Sequence, residues 1–160
     1  MIKHYKYIFI LFLVSNALTS CKKTQESSDF TDIKQFVEKL DQNLEQYNWI
    51  VVLPGLGCKG CIKQAEMFIK ENIAQKKVLF VLTKVESLKT LQNKIGIKVK
   101  DHSNIYIDRE DDFIILSDNS IYPCIISLEN GKTQNYQFQS PDNGEAFVKL
   151  STQIKALAKQ

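Results

Sequence analysis

The chain has 160 residues, 44% of them hydrophobic and 24% charged, with six Gly and three Pro. Those values exclude collagen-like, low-complexity and wholly disordered chains and suit a single globular domain. A net charge of +3 without a block of like charges leaves no electrostatic footprint for nucleic acid, and four Cys are too few for a disulfide scaffold.

Residues 1–20 read as an export signal. Lys3 and Lys6 precede an unbroken apolar run, Tyr7 to Val14, and smaller residues lead to Cys21. A basic start, a short apolar stretch and small residues before a cut are the parts of a secretory signal. The run is too short to span a bilayer, which takes roughly 20 apolar residues. The tetrapeptide Leu18-Thr19-Ser20-Cys21 resembles the lipobox of bacterial lipoproteins. The resemblance implies that Cys21 becomes the lipidated first residue of a mature chain held outside the cytoplasm on a bacterial membrane. Lys22, where an Asp is absent, is similar to lipoproteins sorted onward to the outer membrane, so the periplasmic face of a membrane or the outer membrane is the expected location. Removing residues 1–20 lowers the net charge from +3 to +1, and the compartment is one where disulfides persist. With lipid on Cys21, three thiols remain, and at least one has no partner within the chain.

Residues 21–29 form the lipidated Cys and a polar stretch without periodicity, which reads as a flexible tether. The folded domain is expected over residues 30–160. Phe30, Ile33, Phe36, Val37, Leu40, Leu44 and Tyr47 recur at helical spacing, with Asp32 and Gln35 as a capping pair. Trp49 to Leu53 is a β-branched apolar run, a buried strand broken by Pro54, Gly55 and Gly57. A second helix starts near Cys61, with Ile62, Ala65, Ile69 and Ile73 on one face. Val78 to Leu82 is another buried strand. Leu88, Leu91 and Ile95 mark a short helix that Gly96 terminates. Asn104 to Ile107 is a short strand, Asp108 to Asp112 an acidic loop, and Phe113 to Leu116 leans toward strand. Ile125 to Leu128 and Thr133 to Phe138 form a hairpin across Asn130-Gly131. Pro141-Asp142 opens a last helix, with Glu145 as capping partner and Phe147, Leu150, Ile154 and Leu157 as its buried stripe. Continuous apolar strands alternating with helices predict an α/β sandwich, and the terminal hairpin predicts a mixed sheet.

The chemistry concentrates in Val51-Val52-Leu53-Pro54-Gly55-Leu56-Gly57-Cys58-Lys59-Gly60-Cys61. A buried strand enters a glycine-rich turn, and a C-x-x-C opens a helix. Two thiols at this spacing in a first helical turn can close a small disulfide ring. Unpaired N–H groups and the positive end of the helix dipole stabilise a thiolate on Cys58, and Lys59 adds a cation. Cys58 is expected to be the exposed, attacking sulfur and Cys61 the resolving one.

Here the sequence resembles the thioredoxin-like family. One part of the resemblance is the strand, turn and Cys58-Lys59-Gly60-Cys61 helix start. The other is Ile121-Tyr122-Pro123-Cys124-Ile125-Ile126-Ser127-Leu128-Glu129-Asn130-Gly131-Lys132, which is similar to the family's cis-proline loop, fourth strand and turn. It covers residues 30–158, with a small insertion near Asp108 to Asn119. It implies a thioredoxin-like sandwich, a central mixed β-sheet flanked by helices. It also implies a cis Pro123 beside the dithiol and a Tyr122 backbone that pairs with an extended substrate chain. Val52 stands where thioredoxins proper carry a buried Asp that helps deprotonate the second thiol, so Cys61 must use water or another group. Gly57 replaces a frequent Trp, and Cys124 directly follows the expected cis-proline.

Cys124 admits three roles: a core side chain, a third redox thiol, or a third ligand for a soft metal. His102, beside Asp101 and Ser103, reads as a loop residue. Glu110-Asp111-Asp112 reads as solvated, lacking the spaced ligands of a calcium loop. The expected function is thiol–disulfide exchange through Cys58 and Cys61, with protein or small-molecule thiols and disulfides as partners and a membrane contacted through the lipid. No cofactor and no resident metal is called for, and oligomeric state is not legible. The alternatives are a copper or soft-metal carrier using the same cysteines, or a non-catalytic binding lipoprotein with a static Cys58–Cys61 bridge.

Overall fold

Trp49–Pro54 (β1) and Val78–Thr83 (β2) are the two most apolar segments of the domain, and every residue in both is buried. A strand buried on both faces needs neighbours at both edges and a layer on each side. The computed structural model, which describes residues 28–157, meets both needs. β1 pairs in parallel with β2, which pairs in parallel with Ile105–Ile107 (β3). On its other edge β1 runs antiparallel to Cys124–Glu129 (β4), and β4 pairs with Lys132–Phe138 (β5). The sheet order is β3-β2-β1-β4-β5, a mixed sheet of the expected kind.

Helices cover both faces. Side chains alternate across a strand, so Trp49, Val51 and Leu53 join one core while Ile50 and Val52 join the other. The first core is closed by Lys59–Asn72 (α2), Leu88–Ile95 (α3) and Ala146–Leu157 (α4). The second is closed by a helix over 28–39 (α1), through Ile33, Phe36 and Val37. The chain is thus α/β, with a five-stranded mixed sheet between helical layers. Among the described residues no helix is long and apolar enough to cross a membrane. The expected signal, Cys21 and residues 22–27 lie outside the described residues.

Several boundaries differ from expectation. α1 already includes residues 28 and 29, so helical structure begins before residue 30, at two positions expected to be non-helical. The helix ends at residue 39 and does not reach Tyr47. Asp41 and Asn43 favour turns over helix interiors, and a 3-10 turn follows at Leu44–Gln46. Asp32 lies inside α1, and its carboxylate accepts the Leu116 N–H at 3.1 Å instead of capping the helix. Pro141–Asn143 is a separate 3-10 turn, and α4 starts only at Ala146. There the buried Gln139 side chain accepts the Phe147 N–H at 3.2 Å and donates to the Gly144 carbonyl at 2.7 Å. Leu157 is exposed, while Phe147, Leu150 and Ile154 are buried. Gly96 terminates α3 as expected, with φ 70° and its N–H on the Gln92 carbonyl. Asn130 and Gly131 both take positive φ, the requirement of a tight hairpin turn of the primed type.

The end of α2 is tied to the start of β2 by one side chain. The Asn104 amide donates to the carbonyls of Ile73, Gln75 and Val78 at 3.0, 3.3 and 3.2 Å. Asn104→Ala removes the donor and leaves these carbonyls short of a partner. Urea unfolding is expected to show a loss of about 1–3 kcal/mol, with an unchanged slope against denaturant.

Candidate functional site

The turn after β1 is held by backbone contacts that leave no room for side chains. Gly55 donates its N–H to the Thr83 carbonyl at 2.8 Å, and a Cβ there would collide with the Lys84 carbonyl. Gly57 takes φ 142°, and a Cβ would strike the Ile121 carbonyl. These two glycines let the turn lie flat between the β2–α3 loop and the segment before β4. Cys58 is therefore delivered to the helix start in an extended conformation, as the N-cap of α2.

Cys58 and Cys61 are joined as a disulfide with their Cα atoms 5.4 Å apart. The Cys58 sulfur also faces the Cys61 N–H at 3.4 Å, and the Cys58 carbonyl accepts the Ile62 N–H at 2.9 Å. Cys58 is half-buried and Cys61 is buried. The two sulfurs thus differ in access in the order expected of an attacking and a resolving thiol. The first turn of α2 holds no acid, and Lys59 is exposed beside Cys58. Both the helix end and Lys59 favour negative charge on the Cys58 sulfur.

The segment before β4 departs from expectation. The Tyr122–Pro123 bond is trans, since no cis peptide occurs among the described residues. Trans is the cheaper isomer, and the preceding backbone accommodates it. Asp118–Ile121 forms a 3-10 turn, and Tyr122 leaves it at φ −104° and ψ 145°, the extended region that a following proline favours. Pro123 is buried, and its carbonyl accepts the Gln139 N–H at 2.9 Å. The Tyr122 N–H donates to the Asn119 carbonyl at 3.0 Å. It is engaged within the chain, so the expected pairing with a substrate strand loses its donor. The group that touches the dithiol is Ile121, whose carbonyl accepts the Cys58 N–H at 3.0 Å.

The insertion expected near Asp108 to Asn119 folds as a strap. Asp108 is buried, and its two carboxylate oxygens accept the N–H groups of Asp112 and Phe113 at 2.9 and 3.0 Å. Phe113 then packs edge-on against Phe36 of α1, with ring centroids 5.0 Å apart. Leu116 is tied to Asp32, and the Asn119 amide donates to the Asp29 carboxylate at 2.8 Å. Phe113 to Leu116 has a strand-like alternation of burial. It is not a strand: the N–H groups of Phe113 and Leu116 go to the Asp108 and Asp32 carboxylates and not to a neighbouring strand. Glu110, Asp111 and Asp112 are exposed, as expected of a solvated loop; Asp111 accepts the Lys84 N–H at 3.0 Å, and Lys39 lies 3.7 Å from Asp112.

Cys124 is fully buried and opens β4 opposite Val52, within the core that α1 covers. Burial pushes its thiol well above the ordinary value, and the Asp29 carboxylate pushes it further. It carries no thiolate at neutral pH and serves as a core side chain. Among the described residues no three His, Cys, Asp or Glu side chains gather closely enough to hold a metal ion. His102 follows the 3-10 turn Val99–Asp101, near Tyr47, Ile73 and Ala74. The chain enters β1 and β2 at that end of the sheet, and the dithiol stands at the other.

Asp29 is the residue that periodicity reading missed. It is 1% exposed, and its Oδ1 has no hydrogen-bond partner. The signal was present: Asp29 stands four before Ile33 and seven before Phe36, on the buried stripe of α1. Comparison with family models, with curated proteins and with solved structures finds no match for this chain.

The thiols are expected to separate by alkylation. In the folded, reduced chain Cys58 reacts first and Cys61 more slowly, while Cys124 reacts only in denaturant, as mass spectrometry of the labelled peptides reads out. The Cys124 shift also has a sign in stability. A thiol raised in the folded state keeps its proton where the unfolded chain loses it. Its contribution is complete below the ordinary value of 9.0 and declines as pH rises above it. Cys124→Ala is expected to remove that part of the decline, measured by urea unfolding of the oxidised protein on both sides of that value.

Proposed function

We propose that this chain is a lipid-anchored, extracytoplasmic thiol–disulfide exchange protein of the thioredoxin-like kind. One observation carries the reading: a Cys58–Cys61 disulfide at the first turn of α2, with Cys58 half-exposed and Cys61 buried. A strand order of β3-β2-β1-β4-β5 with a helix layer on each face supports the thioredoxin-like comparison, and the trans Pro123 is a departure from it.

In the reducing direction the Cys58 thiolate attacks one sulfur of a substrate disulfide. The substrate S–S bond breaks, a Cys58–substrate bond forms, and the leaving thiolate takes a proton from solvent. The Cys61 thiol then gives up its proton and attacks the Cys58 sulfur. That closes the Cys58–Cys61 bond and releases the second substrate thiol. The substrate gains two electrons, and the dithiol loses two. The oxidising direction is the reverse. The helix end and Lys59 stabilise the reduced form, and so favour an oxidising couple. Substrates are thiols or disulfides of proteins or small molecules, and the lipid on Cys21 supplies the membrane contact.

Exchange with a small aromatic disulfide tests the reading on the full chain. Cys58→Ser is expected to reduce exchange to the uncatalysed rate. Cys61→Ser is expected to accumulate a mixed disulfide on Cys58. Equal exchange by wild type and Cys58→Ser would sink the proposal. Incorporation of labelled fatty acid, abolished in Cys21→Ser, tests the anchor separately.

A further inference from the structure

The place where α1 begins constrains how an anchored domain sits on its membrane. Asp29, in the first described turn of α1, holds Asn119; the same 3-10 turn places the Ile121 carbonyl on the Cys58 N–H. Asp29 also lies close enough to Cys124, the first residue of β4, to act on its thiol. The polypeptide therefore enters the domain at the end of the sheet that carries the dithiol. Cys21 stands seven residues before Ser28, and such a length reaches at most about 25 Å.

That same end exposes apolar side chains. Leu56, two residues before Cys58, is 54% exposed, and Ile121, whose carbonyl holds Cys58, is 45% exposed. The strap adds two more. Phe113 and Ile115 turn inward toward α1, so Ile114 and Leu116 turn outward, at 58% and 79% exposure. Leu116 is tied to the first turns of α1 by Asp32. Four of the seven exposed large apolar side chains among the described residues thus lie on this loop, turn and strap, while Met67, Val148 and Leu157 are exposed on α2 and α4. Apolar side chains exposed together mark a site of contact. The cleft beside Leu56 carries Lys84 and Arg109 together with Glu86 and Asp111, so charge is balanced there and the apolar side chains carry the argument.

We infer that the domain docks on the lipid bilayer through a rim formed by Leu56, Ile114, Leu116 and Ile121, with Cys58 facing the membrane surface. The inference rests on the reading of Cys21 as a lipid anchor. The short chain from Cys21 ends beside this rim, so the bilayer is the nearest apolar surface. A dithiol held this way exchanges with thiols and disulfides at the membrane surface in preference to those of freely diffusing proteins.

The test uses the mature, lipidated chain on vesicles of phosphatidylethanolamine and phosphatidylglycerol whose acyl chains carry bromine, a contact quencher of Trp emission. Leu116→Trp places the probe on the rim, and Val148→Trp, at a 65% exposed position of α4, is the control. The native Trp49 is buried and contributes equally to both. Leu116→Trp emission is expected to shift to shorter wavelength and be quenched, with Val148→Trp unchanged. Vesicle flotation and exchange with a small soluble disulfide are measured on the same samples. A floating chain with unquenched Leu116→Trp overturns the inference and leaves the rim to a protein partner. A chain that does not float overturns the anchor and the docking together. Quenched Leu116→Trp on vesicles, with no exchange even after the vesicles are dissolved in detergent, supports docking and strikes the dithiol reading alone.

Discussion

β1 is the constraint from which the rest of the architecture follows. Its six residues are all buried, with Val51 and Leu53 in one core and Ile50 and Val52 in the other. A strand of this kind is stable only with a hydrogen-bonded neighbour on each edge and a helical layer on each face. β2 and β4 supply the edges; α1 and the α2–α4 layer supply the faces. Once β1 is central, the turn after it must emerge at the end of the sheet, between two other loops. Gly55 and Gly57 pass under the Lys84 and Ile121 carbonyls only because they lack a Cβ. The position of Cys58 follows from burial of the strand behind it.

The opposite wall of the site is built less directly. The segment before β4 does not use a cis-proline to approach Cys58. It uses a 3-10 turn, with the Ile121 carbonyl as the contact. That turn is held from the α1 side by Asp29, and the strap from Phe113 onward is held by Phe36 and Asp32. Three successive turns of one helix thus support nine residues of irregular chain. The arrangement couples the entry of the polypeptide into the domain to the backbone that positions Cys58. It also accounts for a buried carboxylate beside a buried thiol: Asp29 is retained inside because it holds the turn, and Cys124 stays protonated beside it.

The proposed exchange chemistry and the proposed docking draw on different parts of this scaffold. Exchange needs the asymmetry between Cys58 and Cys61, which comes from helix geometry: one sulfur caps the helix and the other lies a turn inside. Docking needs the outward residues of the strap and the β1–α2 loop. Both stand at one end of the sheet: β1 ends there in the dithiol turn, and α1 starts there beside the 3-10 turn that closes the strap. Orientation toward a surface would then restrict which thiols the pair meets, without any selective pocket.

The strands, the hairpin and the dithiol helix were legible because each is a local pattern. Trp49 to Leu53 and Val78 to Leu82 are continuous apolar runs, Asn130-Gly131 supplies the positive φ that its turn requires, and C-x-x-C follows a strand and opens a helix. The amino-acid sequence by itself therefore determined an α/β chain with a mixed sheet and an asymmetric cysteine pair at a helix start. It did not determine the backbone isomer at Pro123, the helical start at residues 28 and 29, or the strap. Those depend on partners far apart in the chain: Asp29 with Asn119, Asp32 with Leu116, Cys58 with Ile121. Asp29 keeps the spacing of the buried stripe of α1, but which group it meets is settled only when the helix packs on the sheet. Only the tertiary structure decides such contacts, because a single side-chain hydrogen bond has no period in sequence.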